Sequence, residues 1–384
     1  MRIAFHAPMK PPGHPTPSGD LRVAGLYWSA LEQAGHRVRL ASSFRSYEGG
    51  GDAARQVAIA EAGAMEAARL IAAWQDEAAE ARPEAWFTYH LYHKAPDWLG
   101  PPVCRALGLP YLVAEPSCAP KQAHGRWAAG YDAAAAAIGT AAALFCPTRL
   151  DMACLKPLAA AERLHYLPPF LDPAPFADAR GERGAHRRRL AETLTLDDEV
   201  PWLLAVGMMR RRDKLESYRQ LGQALGRLGE LPWQLVVVGD GEARPAVEAA
   251  LAPLGARIAW AGRQPFAALP GIYAACDLYV WPAVGEAYGM ALLEAAAAGL
   301  PAVAGRVRGV GDVVMDGATG LLAAPGDPAD FAAKVHLLLA SPAWRQEMGE
   351  RAALFVARER SLTHAAARLG DELARAAANP ADAR

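Results

Sequence analysis

The chain has 384 residues, of which 52% are hydrophobic and 21% charged, and its formal net charge is -1. That length suits two domains of ordinary size, and the composition is that of a soluble globular protein. The charge balance argues against nucleic acid as the main partner, which usually leaves a clear basic excess. No stretch approaches the roughly 18 uninterrupted apolar residues of a spanning helix; the alanine-rich run at 133–144 comes nearest and is too weakly apolar. The cysteines (Cys104, Cys118, Cys146, Cys154, Cys276) are odd in number and form no C-x-x-C pair. They read as reduced thiols of a cytoplasmic protein rather than as metal ligands.

In chain order, Arg2-Ile3-Ala4-Phe5-His6 reads as a strand, too brief for a signal peptide core. The loop 10–19, rich in proline, leads to a helix at 20–34 that stops at Gly35. A strand at 37–41, a long helix at 53–81 and strands at 86–89, 111–114 and 143–146 follow. Short β-branched or aromatic runs alternating with helices predict a parallel sheet with crossover helices. The segment Leu167-Pro168-Pro169-Phe170-Leu171-Asp172-Pro173 reads as a boundary, and a charged helix at 183–193 follows it. Its basic run, His186-Arg187-Arg188-Arg189, is expected to be a solvated face, with an anionic membrane surface as the weaker option. A second βα series has strands at 202–207, 234–239, 258–262, 278–281, 302–305 and 320–323, then helices at 328–339, 342–357 and 362–377. Several of these strands end in glycine, and ligands in open α/β sheets bind at that carboxyl edge. The expected organisation is an N-terminal Rossmann-like domain at 1–172, a linker at 173–200, a C-terminal Rossmann-like domain at 201–357, and a helix at 358–384 packing back on the N-terminal domain.

The densest chemistry lies in Gly285-Glu286-Ala287-Tyr288-Gly289-Met290-Ala291-Leu292-Leu293-Glu294. Glu286 falls in a strand-to-helix loop punctuated by Pro282, Gly285 and Gly289. The helix is expected from Tyr288 to Ala298, ending at Gly299 and Pro301. N–H groups near Gly289, Met290 and Ala291 form a cradle for a phosphate. Glu294, one turn further in, is placed to accept hydrogen bonds from a diol. Each carboxylate taken alone reads more readily as structural, Glu286 as a surface acid before a core helix and Glu294 as a buried, satisfied one. After Val206-Gly207 comes the basic loop Met208-Met209-Arg210-Arg211-Arg212-Asp213-Lys214, where Arg210 and Lys214 are natural partners for a phosphate. The chain has no Asp-x-Asp pair to hold a divalent ion, and Asp240-Gly241-Glu242 sits in a glycine turn. In Ser18-Gly19-Asp20, Gly19 lets a ligand approach the backbone, and Asp20 serves as well as an N-cap.

These residues reach a family resemblance. Glu286-x7-Glu294 is similar to the E-x7-E motif of retaining GT-B glycosyltransferases, most of all family 4 (glycosyl transferases group 1). Supporting matches are Val236-Val237-Val238-Gly239-Asp240-Gly241-Glu242, Tyr273-Ala274-Ala275-Cys276-Asp277-Leu278 and Gly309-Val310-Gly311-Asp312. The resemblance is dense over 202–340 and sparse before it. It implies a GT-B architecture of two Rossmann-like, doubly wound domains facing across a cleft. It also implies a retaining hexosyltransferase working on a nucleotide-diphosphate sugar, with neither cofactor nor metal. In that scheme Glu286 contacts the donor sugar and Glu294 the ribose. Gly207, Gly289, Met290, Ala291, Arg210 and Lys214 hold the diphosphate, Gly19 approaches it, and the base rests near Arg263. The acceptor would be a sugar, lipid-linked or small molecule, with peripheral contact at the inner face of the membrane as an option.

The chain departs from the family pattern in two places. The basic loop reads Gly207-Met208-Met209-Arg210, which displaces the arginine. Glu115, in Ala114-Glu115-Pro116-Ser117-Cys118, stands where many members carry a histidine. His90 and His93 are then candidates to line the acceptor side. An epimerase, a phosphorylase-like enzyme or a nucleotide-sugar-binding protein on the same scaffold are the alternative readings. A phosphorylase would need pyridoxal phosphate on Lys214 or Lys334, neither convincingly set, and a dehydrogenase would need a G-x-G-x-x-G loop that the chain lacks.

Overall fold

Runs such as Leu203-Leu204-Ala205 and Leu235-Val236-Val237 are apolar at every position, the pattern of strands covered on both faces, and all six residues are fully buried. The structure, a computed structural model, describes residues 1–14, 18–229 and 231–378. Pro15, Thr16 and Pro17 of the first loop and the last residues of the expected C-terminal helix segment lie outside them. The chain divides into two units, one of Met1–Pro168 with Leu362–Arg384 and one of Pro169–Ser361.

In the first unit, β1 (Arg2–His6) is followed by α1 (Gly19–Gln33), β2 (Arg37–Leu40), α2 (Ala53–Asp76) and β3 (Ala85–Tyr89). Next come α3 (Gly100–Leu107), β4 (Tyr111–Ala114), α4 (Ala128–Thr140), β5 (Ala143–Cys146), α5 (Arg149–Leu155) and β6 (Leu164–Tyr166). The sheet order is β2-β1-β3-β4-β5-β6, with every pairing parallel. Ser18 caps α1 by accepting from the Leu21 N–H at 3.2 Å, and Asp52 caps α2 in the same way from Arg55. The expected long helix ends early, at Asp76. Arg39 holds the Glu77 carboxylate with two bonds of 2.7 Å, and Arg82 takes the Glu77 carbonyl at 2.7 Å.

The second unit opens with α6 (Ala174–Gly181) and α7 (Arg183–Leu194). Its sheet uses β7 (Trp202–Val206), β8 (Gln234–Val238), β9 (Ile258–Gly262), β10 (Leu278–Trp281), β11 (Ala302–Gly305) and β12 (Gly320–Ala323). Between and after them run α8 (Asp213–Leu225), α9 (Arg244–Leu251), α10 (Leu269–Ala275), α11 (Met290–Ala297), α12 (Pro328–Ala340) and α13 (Pro342–Glu359). The order β12-β11-β10-β7-β8-β9 is again wholly parallel. The final helix, α14 (Leu362–Ala378), lies against α1 in the first unit. There Gln33 reaches the Thr363 hydroxyl at 2.9 Å, and His165 lies 3.3 Å from Glu372.

The stretch 173–200, expected as a linker, is instead part of the second unit, because α6 and α7 pack on α10. Arg183 donates to the carbonyls of Ala274 and Cys276, both at 2.5 Å, and to Asp277 Oδ1 at 2.7 Å. Arg187, expected on a solvated face, donates to the Ala275 carbonyl and to Asp277 Oδ2, both at 3.0 Å. Its guanidinium also lies 3.8 Å from the centre of the Trp202 ring. The charges that suggested a solvated connection thus close the carboxyl end of a helix and tie it to a sheet. The strand Leu164–Tyr166 escaped the sequence reading because it is three residues long and only its first residue is buried. Among the described residues no helix is long and apolar enough to cross a membrane.

Asp277 is the common partner of Arg183, Arg187 and the Trp202 N–H. Asp277→Ala is therefore expected to cost the second unit about 2–4 kcal/mol, since it strands two partly buried cations and a backbone donor. Urea unfolding followed by unit-specific probes checks this. A midpoint unchanged in the second unit would show that α6 and α7 are not anchored there.

Candidate active site

In the second sheet the chain runs outward from β7 through β8 to β9, then returns to place β10 on the other side of β7. The loops that leave the carboxyl ends of β7 and β10 therefore diverge, and such a switch point opens a crevice that suits a ligand. Both strong sequence signals fall there. Lys214, on the first turn of α8, brings Nζ to 2.5 Å from Glu286 Oε2, in the loop after β10. The indole N–H of Trp281, the last residue of β10, donates to the same oxygen at 3.3 Å, and Lys214 Nζ lies 5.3 Å from the centre of that ring. The two side chains are 28% and 19% exposed. The Lys214–Glu286 pair is thus largely withdrawn from water, where charges attract more strongly than at the surface, yet both side chains stay partly exposed.

Loop geometry holds this pair in place. Gly285 has φ +65°, and a Cβ there would stand 2.2 Å from Asp213 Oδ2, so only glycine lets the β10 loop pass the start of α8. The Val284 N–H donates to Ser217 Oγ of α8 at 3.0 Å, and Glu286 N–H donates to the Ala283 carbonyl at 3.0 Å. The expected helix start at Tyr288 moves to Met290, because Gly289 takes a left-handed conformation (φ 83°) as its N-cap and brings no side chain to cap it. The N–H groups of Met290 and Ala291, in the first turn of α11, are consequently left for an anion.

Glu294 lies a turn further into α11 and is 3% exposed. Its Oε2 accepts from the Tyr273 hydroxyl at 2.9 Å. Burial first, and then the charges of Glu286 and Glu294, push the Tyr279 phenol well above its ordinary range, so this ring stands within the field of both acids. Gly207 follows β7 next to Trp281; a Cβ on it would come 3.1 Å from the indole. Its carbonyl accepts from Tyr218 Oη at 2.9 Å. Arg210 and Arg263 are both exposed, and neither guanidinium forms a hydrogen bond with a described residue. Arg210 instead joins Arg211 in holding Glu242 below its usual range, after the hydrogen bonds from the Arg211 N–H and from Glu242's own. The turn Asp240-Gly241-Glu242 is held together by the Gly241 N–H on Asp240 Oδ1 at 2.9 Å. Among the described residues no group of three or more His, Cys, Asp or Glu is placed to hold a metal ion.

The first sheet has its own switch between β1 and β3, and there the structure pairs two residues the sequence did not connect. Asp20, at the start of α1, and His90, after β3, meet at 3.1 Å between Oδ1 and Nδ1. His90 has φ 60° and Glu115, the equivalent residue after β4, has φ 52°, conformations that cost energy for residues with a side chain. Their N–H groups continue the ladder, His90 to the Ala114 carbonyl and Glu115 to that of Phe145, both at 2.9 Å. Burial lowers the His90 pKa, but the Asp20 hydrogen bond and the charges of Glu115, Asp20 and Asp151 outweigh it, and the net shift is upward. Asp20 is held below its usual value by His90 against the opposing effect of burial. His93 is lowered by burial and by Lys94 and Lys121, and its ring meets Trp127 edge-on at 5.7 Å. Gly19 is exposed, and nothing lies within 4 Å of a Cβ placed on it. The residues the sequence reading missed are Trp281, Tyr273 and the Asp20 partner of His90. For the first unit's edge the sequence offered Ser18-Gly19-Asp20, the histidines His90 and His93, and Glu115, but nothing that joined Asp20 to His90.

Residues 200–341 match the family model described as glycosyl transferases group 1. A sucrose-phosphate synthase from Thermosynechococcus elongatus superposes with a TM-score of 0.72 at 21% identity, covering 97% of this chain and 98% of that one. The Anabaena protein HepE, solved with UDP-glucose, gives 0.70 at 14% identity, covering 98% and 100%. The fold is GT-B. Among curated proteins, an alpha-D-kanosaminyltransferase of Streptomyces kanamyceticus is 35% identical over 216 residues, 56% of this chain and 54% of that protein. A D-inositol 3-phosphate glycosyltransferase of Rhodococcus erythropolis is 32% identical over 190 residues, 47% of this chain and 42% of its own length. The chain thus spans about half the length of these curated relatives.

The Asp20–His90 pair carries a pH dependence whose sign follows from the shifts. His90 gains a partner, so its stabilising share is complete below the ordinary histidine value of 6.5 and is lost as pH rises through the raised folded value. Asp20 is depressed, so its share is lost as pH falls through its lowered value. Asp20→Asn is therefore expected to bring the His90 pKa down in an NMR titration. It should destabilise the first unit most between those two limits. An unmoved His90 titration would contradict the pairing.

Proposed function

We propose that the protein moves a sugar from a nucleotide-diphosphate donor to an acceptor hydroxyl, with retention of anomeric configuration in the manner of family 4, and without a metal ion. The observation that carries this reading is the Lys214–Glu286 pair beside the open amino end of α11, at the switch point of the second sheet. Breaking the bond from the anomeric carbon to the phosphate oxygen leaves negative charge on the departing diphosphate. Lys214, Arg210 and the Met290 and Ala291 N–H groups are the fixed positive ends that would meet it. Glu286 would accept hydrogen bonds from the sugar hydroxyls and Glu294 from the ribose, with Arg263 near the base. As the acceptor oxygen bonds to the anomeric carbon from the leaving group's side, its proton passes to the released phosphate oxygen. No protein base is consumed in that step. The relatives named for sugar transfer and the neighbour holding UDP-glucose support a nucleotide-sugar donor.

The test is release of nucleoside diphosphate from UDP-, GDP- and ADP-glucose in the presence of EDTA. Turnover by the native protein is expected to survive chelation, and the product should keep the donor's anomeric configuration by NMR. Glu286→Gln is expected to lower kcat about 10²–10³-fold with circular dichroism unchanged. Full activity in that variant would remove Glu286 from the mechanism, and loss of turnover in EDTA would overturn metal independence.

A further inference from the structure

Three loops of the first unit, at 45–51, 90–94 and 121–127, gather cations and aromatic rings that the donor chemistry leaves unused. Backbone-directed bonds pin the loops together. The Glu48 N–H donates to the Lys94 carbonyl at 2.8 Å, the Trp127 indole to the Glu48 carbonyl at 3.2 Å, and Arg126 to the Gly50 carbonyl at 3.2 Å. On this frame Lys94 Nζ stands 4.3 Å from the centre of the Trp127 ring and the Arg126 guanidinium 5.7 Å from it. The Arg45 guanidinium covers the Tyr47 ring at 4.8 Å, while Tyr92 bridges His90 and His93 at 5.0 and 5.2 Å between ring centres. Lys121 lies close enough to His93 to join Lys94 in disfavouring its protonation.

The charge in this cluster is unbalanced. Among the described residues Arg45, Lys94, Lys121 and Arg126 form no ion pair with a carboxylate. The acids in and beside these loops have other partners. Glu48 is buried, with its carboxylate taking the Gly50 and Gly51 N–H groups at 2.7 and 2.5 Å. Asp52 caps α2, and Asp20 holds His90. The rings hold these cations in place, and gathering several positive charges without a counter-charge leaves a mutual repulsion that a bound anion relieves. A phosphate ester brings nearly two charges and three acceptor oxygens, enough for several of these donors, whereas a carboxylate brings one charge. The half-buried rings of Trp127, Tyr92 and Tyr47 supply flat faces for the body that carries it.

We infer that these loops bind the acceptor through a phosphate group on a hydroxyl-bearing compound. This rests on the glycosyltransferase reading, and it excludes acceptors whose only charge is a protonated amine. The test uses the full chain and Trp127 fluorescence. It compares glucose 6-phosphate and myo-inositol 1-phosphate with glucose and myo-inositol, with inorganic phosphate as competitor. Vesicles of phosphatidylinositol are set against vesicles of phosphatidylcholine. A phosphorylated probe is expected to bind at least tenfold tighter than its uncharged parent, to be displaced by phosphate, and to give no signal in Trp127→Phe. The double variant Lys94→Met with Lys121→Met should lose that preference while melting like the native protein. Soluble probes that bind place the phosphate on a small acceptor. Binding confined to phosphatidylinositol vesicles, with the same lysine dependence, places it on a lipid. Equal affinity for charged and uncharged probes, or a preference that survives the lysine variants, overturns the inference. Binding of the nucleotide-sugar panel, measured alongside, separates the two readings. Donor binding without phosphate preference sinks only this inference, and phosphate preference without any donor binding sinks the reaction assigned above.

Discussion

A parallel strand covered on both faces offers polar chemistry at its ends alone, and in this protein both sheets are parallel throughout. The candidate residues of both units stand at or just beyond the carboxyl edges, where ligands of open α/β sheets bind. The order of the strands decides where along each edge a ligand has room. In the second unit β7 and β10 are neighbours whose chains leave in opposite directions, and Lys214, on the first turn of α8, meets Glu286, in the loop after β10, where they part. The loop that carries Glu286 leads into a helix of eight residues, Met290–Ala297, whose amino end has no side-chain cap. A cation, an acid and a row of backbone donors are thus assembled by topology before any ligand arrives. That preorganisation is what an oxyanion-stabilising site requires.

The same constraint shapes the first unit, and the strain it leaves is localised. His90 and Glu115 occupy left-handed backbone at the ends of adjacent strands, and Ala283 does so after β10. Each is held by ladder or turn hydrogen bonds around it rather than by its own preference. Strain of this kind persists where the surrounding structure overrides it, and it gathers at edges that carry function. The large apolar residues behind these edges, among them Trp86, Phe87, Leu204 and Val237, are fully buried and supply the rigidity that sets the side chains in register.

The sequence made the strands legible because burial on both faces leaves uninterrupted apolar runs, and Leu203-Leu204-Ala205 or Val236-Val237-Val238 admits few other readings. Glu286 was legible for a different reason: glycines on either side marked a loop, and its spacing from Glu294 marked a helix. What escaped was contact between distant segments. Asp20 and His90 are 70 positions apart, and Asp20 read locally as an N-cap, a position that Ser18 fills instead. Arg183 and Asp277 are 94 apart, so the charge of α7 looked like solvent exposure and its residues like a linker. The indole of Trp281 was hidden by being a proper strand residue, since nothing in an apolar run shows that its last member turns a donor toward a carboxylate.

The claim on which the account turns is a division of labour within one ion pair, Lys214 for the diphosphate and Glu286 for the sugar. Calorimetric titration of the best-bound donor and of its free nucleoside diphosphate, against the native protein, Lys214→Met and Glu286→Gln, addresses it directly. Lys214→Met should weaken both ligands about tenfold or more, as loss of a charge-assisted contact to phosphate would. Glu286→Gln should weaken the nucleotide-sugar while leaving the nucleoside diphosphate unchanged. Equal effects of the two variants on both ligands, or no effect of either, would contradict the account.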